Sequence, residues 1–106
     1  MTLDELRALA CSPKSAAMPA DEIRTLAALL PGWEAAGDEL TRTFRFDDYY
    51  RTIAFVNAVA WVSHRADHHP DLEVGYNRCR VRYTTHSAGG LTTNDFACAA
   101  RVDALG

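Results

Sequence analysis

Cysteine is scarce in this chain of 106 residues. Only Cys11, Cys79 and Cys98 are present, with no C-x-x-C pair and no zinc-ribbon spacing. An odd number of widely separated cysteines argues against a disulfide framework. The sequence therefore predicts a soluble protein in a reduced compartment, which we take to be the cytoplasm.

Long apolar runs are also missing. The richest apolar stretch, residues 55–62, contains Asn57 and is far shorter than the roughly 20 residues that a membrane span needs. Near the N-terminus, Asp4 and Glu5 occupy positions where a signal peptide carries positive charge and then an apolar run. We expect neither a membrane segment nor a secretory leader.

The chain has no excess of basic residues. The chain has 11 Lys and Arg residues, of which Lys14 is the one lysine, and 14 Asp and Glu residues. The net charge is therefore −3. This balance argues against a nucleic-acid module that relies on phosphate neutralisation. The length allows one compact domain and excludes separate cofactor and substrate domains.

Apolar residues recur at helical spacing in three main segments. The first begins at Asp21 and stops at Pro31-Gly32, and the last follows a capping box at residues 92–95. The longest begins at Asp47 or Asp48 and carries one apolar stripe, formed by Phe55, Val59, Val62 and Ala66. We expect Pro70 to end this helix, because the residue before a proline avoids the helical region.

Alternating residues predict two hairpins. The first turns at Gly37-Asp38, and the second turns at Asn77-Arg78 and places Tyr76 on its apolar face. Together with the helices they predict an α+β domain over residues 19–106, in which one four-stranded antiparallel sheet carries helices on one face. Residues 1–18 are expected to be a loosely held extension with a short helix.

All four histidines, at positions 64, 68, 69 and 86, fall within 23 residues. On the predicted helix, His64 and His68 lie opposite the apolar stripe and so face solvent, a cleft or a partner. Three interpretations of the histidines stay open. They are exposed residues without a function, they include a metal site that His64, His68 and His86 share, or they carry out acid/base catalysis on a small molecule. The metal site lacks a recognised set of further ligands.

The spacing of these residues resembles the signature of the pterin-4a-carbinolamine dehydratases. The matching positions are His64, His68-His69-Pro70, Tyr76, His86 and Asp95. Further similarity lies in Gly32-Trp33, in Phe44 and Phe46 ahead of Asp47 or Asp48, and in Thr85-His86 followed by Gly90-Leu91-Thr92. The resemblance extends over about residues 19–105.

The resemblance implies removal of water from 4a-hydroxytetrahydrobiopterin to give quinonoid dihydropterin, which recycles the cofactor of aromatic amino-acid hydroxylases. It implies no metal and no organic cofactor, because the pterin is the substrate. His68, His69 and His86 would be catalytic and would also contact the pterin. The same resemblance places the pterin against Asp67, Thr84, Thr85 and Ser87.

Two further positions have secondary roles in this interpretation. His64 is either an accessory contact or an exposed helix residue, and Asp95 is expected mainly to cap the last helix, with a site contact second. The family also includes dimerisation or assembly cofactors, which form the alternative function. A homodimer or homotetramer is expected, with no nucleic-acid or membrane partner.

Overall fold

The computed structural model describes residues 1–105. The elements, in chain order, are α1 (Leu3–Ala8), α2 (Ala20–Ala27), β1 (Glu34–Ala36), β2 (Glu39–Arg45), α3 (Tyr49–Ala66), β3 (Asp71–Val74), β4 (Arg78–Tyr83), a 3-10 turn (His86–Ala88) and α4 (Thr93–Asp103). The predicted succession of helix, hairpin, helix, hairpin and helix is confirmed, preceded by the short helix expected near the N-terminus.

The four strands form one antiparallel sheet in the order β1-β2-β4-β3. Its central pair aligns Leu40 with Tyr83 and Phe44 with Cys79, and all four side chains are buried against the helical layer. The opposite face is polar, since Arg82 on β4 pairs with acidic residues of both neighbouring strands. The predicted α+β fold with helices on one face of the sheet is therefore confirmed.

Local sequence explains where α3 and α4 begin. The Asp48 carboxylate accepts the Arg51 N–H at 2.8 Å, which satisfies one free amide at the start of α3. Helix α4 begins with the predicted capping box of Thr92 and Asp95. Residues 94–100 of α4 are all buried, and the small side chains among them let this helix lie close to both α1 and the sheet.

Helix α3 ends at Ala66, before the histidine pair. The expectation that Pro70 would end it, with His68 and His69 in the last turn, is wrong. Asp67 adopts a left-handed conformation with φ 52°, which Asp tolerates better than most residues. The N–H groups of Asp67 and His68 then donate to the carbonyls of His64 and Ser63, as in a Schellman motif.

The N-terminal segment is packed against α4, so the expectation of a loosely held extension is also wrong. Leu6 is fully buried in the core. Arg101 Nε donates to the Arg7 carbonyl at 2.9 Å, and the Ser12 N–H donates to Asn94 Oδ1 at 2.9 Å. These contacts fix the segment by hydrogen bonds as well as by apolar burial.

Tyr76 lies outside the core, in contrast to its predicted place on the apolar face. Strand β3 ends at Val74, and the Gly75 N–H donates to the Arg78 carbonyl to close the turn. Tyr76 therefore belongs to the turn, is 66% exposed and stacks on Tyr49 with ring centroids 6.4 Å apart. The alternation of apolar residues continues past the point where strand pairing stops.

No helix within residues 1–105 has the combination of length and apolar character that crossing a membrane would require.

Candidate active site

The seven residues that the resemblance placed at the pterin line one cavity of about 240 Å³. The cavity lies between the turn that follows α3 and the connection from β4 to α4. Its walls are formed by Asp67, His68, His69, Asp71, Arg82, Thr84, Thr85, His86 and Ser87. Three histidines separated by up to 18 positions thus meet at a single concave surface.

The left-handed residue Asp67 determines how the histidine pair enters this cavity. By ending α3, it turns the chain away from the helix axis before His68. The prediction that His64 and His68 share a helix face is wrong for this reason. His64 stays exposed on α3 and lies outside the cavity, in a neighbouring groove that His68 and His69 also line.

His68 is held by a buried carboxylate. Its Nε2 lies 2.6 Å from Asp95 Oδ1, and the His68 side chain is 14% exposed whereas that of Asp95 is fully buried. Because a carboxylate accepts hydrogen bonds, Nε2 is the nitrogen that donates in this pair. The contact therefore fixes the tautomer and leaves Nδ1 as the ring nitrogen able to accept a proton.

The second oxygen of Asp95 is also fully engaged. Asp95 Oδ2 accepts the Thr92 N–H at 2.9 Å and the Thr85 hydroxyl at 2.7 Å. The Thr85 and Thr92 hydroxyls lie 2.9 Å apart, so they extend the same network. The predicted capping contact of Asp95 is confirmed, and the same carboxylate also orients a histidine of the cavity.

Tyr83 packs against the His68 ring. The two rings are nearly parallel, with an interplanar angle of 15° and centroids 5.8 Å apart. Burial raises the pKa of Tyr83 far above its usual value, with smaller contributions from Cys98 and Asp95. A neutral, rigid phenol thus packs on the imidazole, a contact that sequence reasoning missed because the alternation of β4 indicated only a core residue.

His69 and His86 differ from His68 in being exposed. His69 follows His68 directly, and His86 begins the 3-10 turn between β4 and α4. The turn closes at Gly89, whose φ of 74° favours glycine, and the Gly89 N–H donates to the His86 carbonyl at 3.1 Å. Both imidazoles are therefore accessible to a small molecule in the cavity.

Two charged residues of the cavity were not singled out in the sequence. Asp71 and Arg82 are paired in the register of β3 and β4, and their side chains form a salt bridge at 3.5 Å. In the sequence, Arg82 alternates with Val81 and Tyr83, a pattern that indicates only the polar face of the hairpin. The register of β3 against β4 brings both residues to the edge of the cavity. The alternation of residue types in the sequence does not predict that register.

Within residues 1–105, no cluster of three or more His, Cys, Asp or Glu side chains is arranged to hold a metal ion. In particular, His64 lies apart from the cavity that His68 and His86 share. The three residues of the hypothetical metal site are thus not brought together around that cavity.

Comparison with known proteins identifies the family of this chain. The family model described as pterin 4 alpha carbinolamine dehydratase matches residues 16–105. A relative from Nitrosospira multiformis is 53% identical over 98% of this chain and 95% of its own length. One from Nitrosomonas europaea is 54% identical over 90% and 88%. Both carry the name "Putative pterin-4-alpha-carbinolamine dehydratase".

Two solved structures are similar. A transcriptional coactivator/pterin dehydratase from Brucella melitensis has a TM-score of 0.80 at 30% identity, covering 84% of this chain and 97% of that one. A pterin dehydratase-like protein, described as a RuBisCO assembly factor in the alpha-carboxysome, has a TM-score of 0.57 at 30% identity, covering 69% and 84%. The chain belongs to the pterin-4a-carbinolamine dehydratase family, as the resemblance of its signature had predicted.

Proposed function

We propose that this protein dehydrates a 4a-hydroxytetrahydropterin to the quinonoid dihydropterin, and that His68, His69 and His86 carry the proton transfers. The observation that carries this proposal is the meeting of all three histidines at one cavity, with His68 oriented by the buried Asp95. Family membership supports the substrate class. The recycling of a hydroxylase cofactor, the cytoplasmic location and a homo-oligomeric state belong to the same proposal.

The reaction needs one base and one acid. The base removes the proton from the ring nitrogen N5, the C4a–O bond breaks, and the acid protonates the departing hydroxyl to give water and a C4a=N5 double bond. Two convergent imidazoles can supply both functions near neutral pH, since histidine changes its charge in that range. These proton transfers require no metal ion and no organic cofactor.

His68 is the residue best placed to act as the base. Its Nε2 donates to Asp95, so the opposite nitrogen accepts, and the carboxylate stabilises the imidazolium that forms. The exposed His69 and His86 line the same cavity and supply the proton to the leaving hydroxyl. Asp67, Thr84, Thr85 and Ser87 would contact the pterin from the remaining walls.

A second candidate function is suggested by the structural relatives. One is described as a coactivator as well as a dehydratase, and another as an assembly factor for RuBisCO. A non-catalytic dimerisation or assembly role on the same fold is therefore the alternative. The three histidines at the cavity and the buried carboxylate that orients His68 favour the enzyme, because a pure binding role does not need them.

Stopped-flow ultraviolet absorbance of freshly generated 4a-hydroxytetrahydropterin tests the proposal directly. We expect the purified protein to accelerate the decay, and His68→Ala to lower the catalysed rate by about two orders of magnitude. His64→Ala is the matched control, since it removes a histidine that lies outside the cavity. It should keep the full rate.

Decay at the uncatalysed rate with folded wild-type protein would refute the enzyme proposal and favour the assembly role. Equal losses in His64→Ala and His68→Ala would refute the assignment of the base. Circular dichroism of each variant establishes that it is folded before its rate is interpreted.

A further inference from the structure

Two cysteines from opposite ends of the chain lie side by side behind the candidate site. Cys11 follows α1 and Cys98 lies in the middle of α4, 87 positions away, with their Sγ atoms 3.8 Å apart. The sulfurs need to approach by about 1.8 Å to reach the length of a disulfide bond. Cys79 is also buried, and it belongs to strand β4 rather than to this pair.

The environments of the two thiols differ. Cys11 is half-buried, and its Sγ accepts a hydrogen bond from Arg101 Nη1 at 3.6 Å, the kind of cationic neighbour that is found beside reactive cysteines. Cys98 is fully buried. Burial, reinforced by Cys11, raises the pKa of Cys98 to about 12. Only Cys11 is therefore open to an oxidant from solvent, whereas Cys98 is shielded.

We propose that Cys11 and Cys98 form a reversible intramolecular disulfide when the protein meets a peroxide. The Cys11 sulfur attacks hydrogen peroxide: an S–O bond forms, the O–O bond breaks, and the departing hydroxide takes up the thiol proton, giving a sulfenic acid and water. The Cys98 sulfur then attacks the sulfenic sulfur. The S–S bond forms, the S–O bond breaks, and the hydroxyl leaves as water with the Cys98 proton.

The disulfide would tie the N-terminal segment to α4, the helix whose Asp95 orients His68 at the candidate site. A cavity next to the histidine cavity is lined by Cys11, Ser12 and Ser15 on one side and by His68, Thr85 and Asn94 on the other. In the reduced protein, Ser12 and Ser15 hold this segment to Asn94 through three hydrogen bonds. A covalent link at Cys11 would make that attachment permanent until a reductant acts.

This inference does not depend on the proposed dehydratase activity, since its primary readout is mass. Purified, fully reduced protein is treated with hydrogen peroxide, alkylated in denaturant so that buried thiols also react, and digested with trypsin. We expect a linked pair of peptides covering residues 8–14 and 83–101. Its mass should be about 2 Da below the sum of the two reduced peptides, because two hydrogens are removed. Dithiothreitol should restore both peptides, and the Cys79 peptide should be alkylated throughout.

Variants complete the test. Cys79→Ala should still form the linked pair, whereas Cys11→Ser, a change at a half-buried position, should abolish it. Oxidised wild type should melt about 10 °C higher than the reduced protein, because the link closes a long loop. Sulfinic acid on Cys11 with Cys98 still free, or a disulfide between two chains, would overturn the proposal.

Discussion

Nε2 of His68 lies 2.6 Å from Oδ1 of Asp95, a residue 27 positions further along the chain. The same carboxylate caps α4 through the Thr92 N–H. One buried side chain thus begins a helix and orients an imidazole at the candidate site. The start of α4 and the direction of His68 are fixed by a shared group, so a change at Asp95 acts on stability and on chemistry together.

Replacing this carboxylate tests both roles. In Asp95→Asn an NH2 group replaces one carboxylate oxygen. Because NH2 does not accept hydrogen bonds, at least one of the donors that now contact the carboxylate loses its acceptor. We expect the free energy of unfolding to fall by about 1–3 kcal/mol and the dehydration rate to fall by roughly tenfold or more. Urea unfolding and stopped-flow absorbance measure the two effects.

Asp103→Asn is the matched control for Asp95→Asn. Asp103 lies at the other end of α4 and accepts from Trp33 Nε1 and Arg42, far in sequence from the histidines. It should lower stability without changing the rate per folded molecule. If Asp95→Asn turned over substrate as fast as Asp103→Asn, the positioning role of Asp95 would have to be abandoned.

Much of the fold could be predicted because its signals are local. The stripe from Phe55 to Val62 predicts the buried face of α3, and the alternation around Val81 predicts the inward face of β4. The end of α3 could not be predicted in the same way. It depends on Asp67 accepting a left-handed conformation, for which Pro70, three residues later, is only an indirect signal.

The candidate site was predictable in composition but not in geometry. Spacing and family resemblance identified the three histidines, and the capping box identified Asp95. The contact between His68 and Asp95 depends on how α3 and α4 pack, and the place of Arg82 depends on the register of β3 against β4. Neither long-range relationship is encoded in a local pattern.

The N-terminal segment offers a test of how the core is assembled. Leu6, on α1, is fully buried, whereas Leu3 on the same helix is only half-buried. We expect Leu6→Ala to lower the free energy of unfolding by about 2–4 kcal/mol and Leu3→Ala to lower it by clearly less. Urea denaturation followed by Trp fluorescence measures both. Equal and small effects would indicate that the segment is not part of the cooperative fold.

Gly32 provides a steric prediction. A Cβ at this position would lie 2.5 Å from Nη1 of Arg42, which pairs with Asp103 and covers the Phe44 ring. We expect Gly32→Ala to displace the guanidinium and to cost about 1 kcal/mol, measured by urea unfolding. In the background of Arg42→Ala, the same change should cost less, because the obstructing group is gone.

Gly90→Ala is the control for Gly32→Ala. Its Cβ would meet Ala17 Cβ at 3.6 Å, an ordinary van der Waals contact. This change should leave stability nearly unchanged or slightly higher. Additive effects of Gly32→Ala and Arg42→Ala would show that the guanidinium does not limit space at Gly32.

Stability should decline at alkaline pH because buried acids in the core resist ionisation. Burial raises the pKa of Cys98 from 9.0 to about 12 and also raises that of Tyr83. In the unfolded chain the Cys98 thiol loses its proton near pH 9, whereas the folded protein retains it. The unfolded state therefore gains stability as the pH rises from 9 to 12, and the free energy of unfolding falls over that range.

Urea unfolding at pH 8 and pH 10, with reductant present, measures this decline. For Cys98 alone, the free energy of unfolding should fall by about 1 kcal/mol between these two values. Cys98→Ala removes the titrating group, so its decline should be smaller by that amount, whatever its stability at pH 8. Because the comparison uses differences between two pH values, the loss of a buried sulfur cancels. Identical declines in the variant and the wild type would mean that the Cys98 thiol ionises equally in both states, against its complete burial beside Cys11.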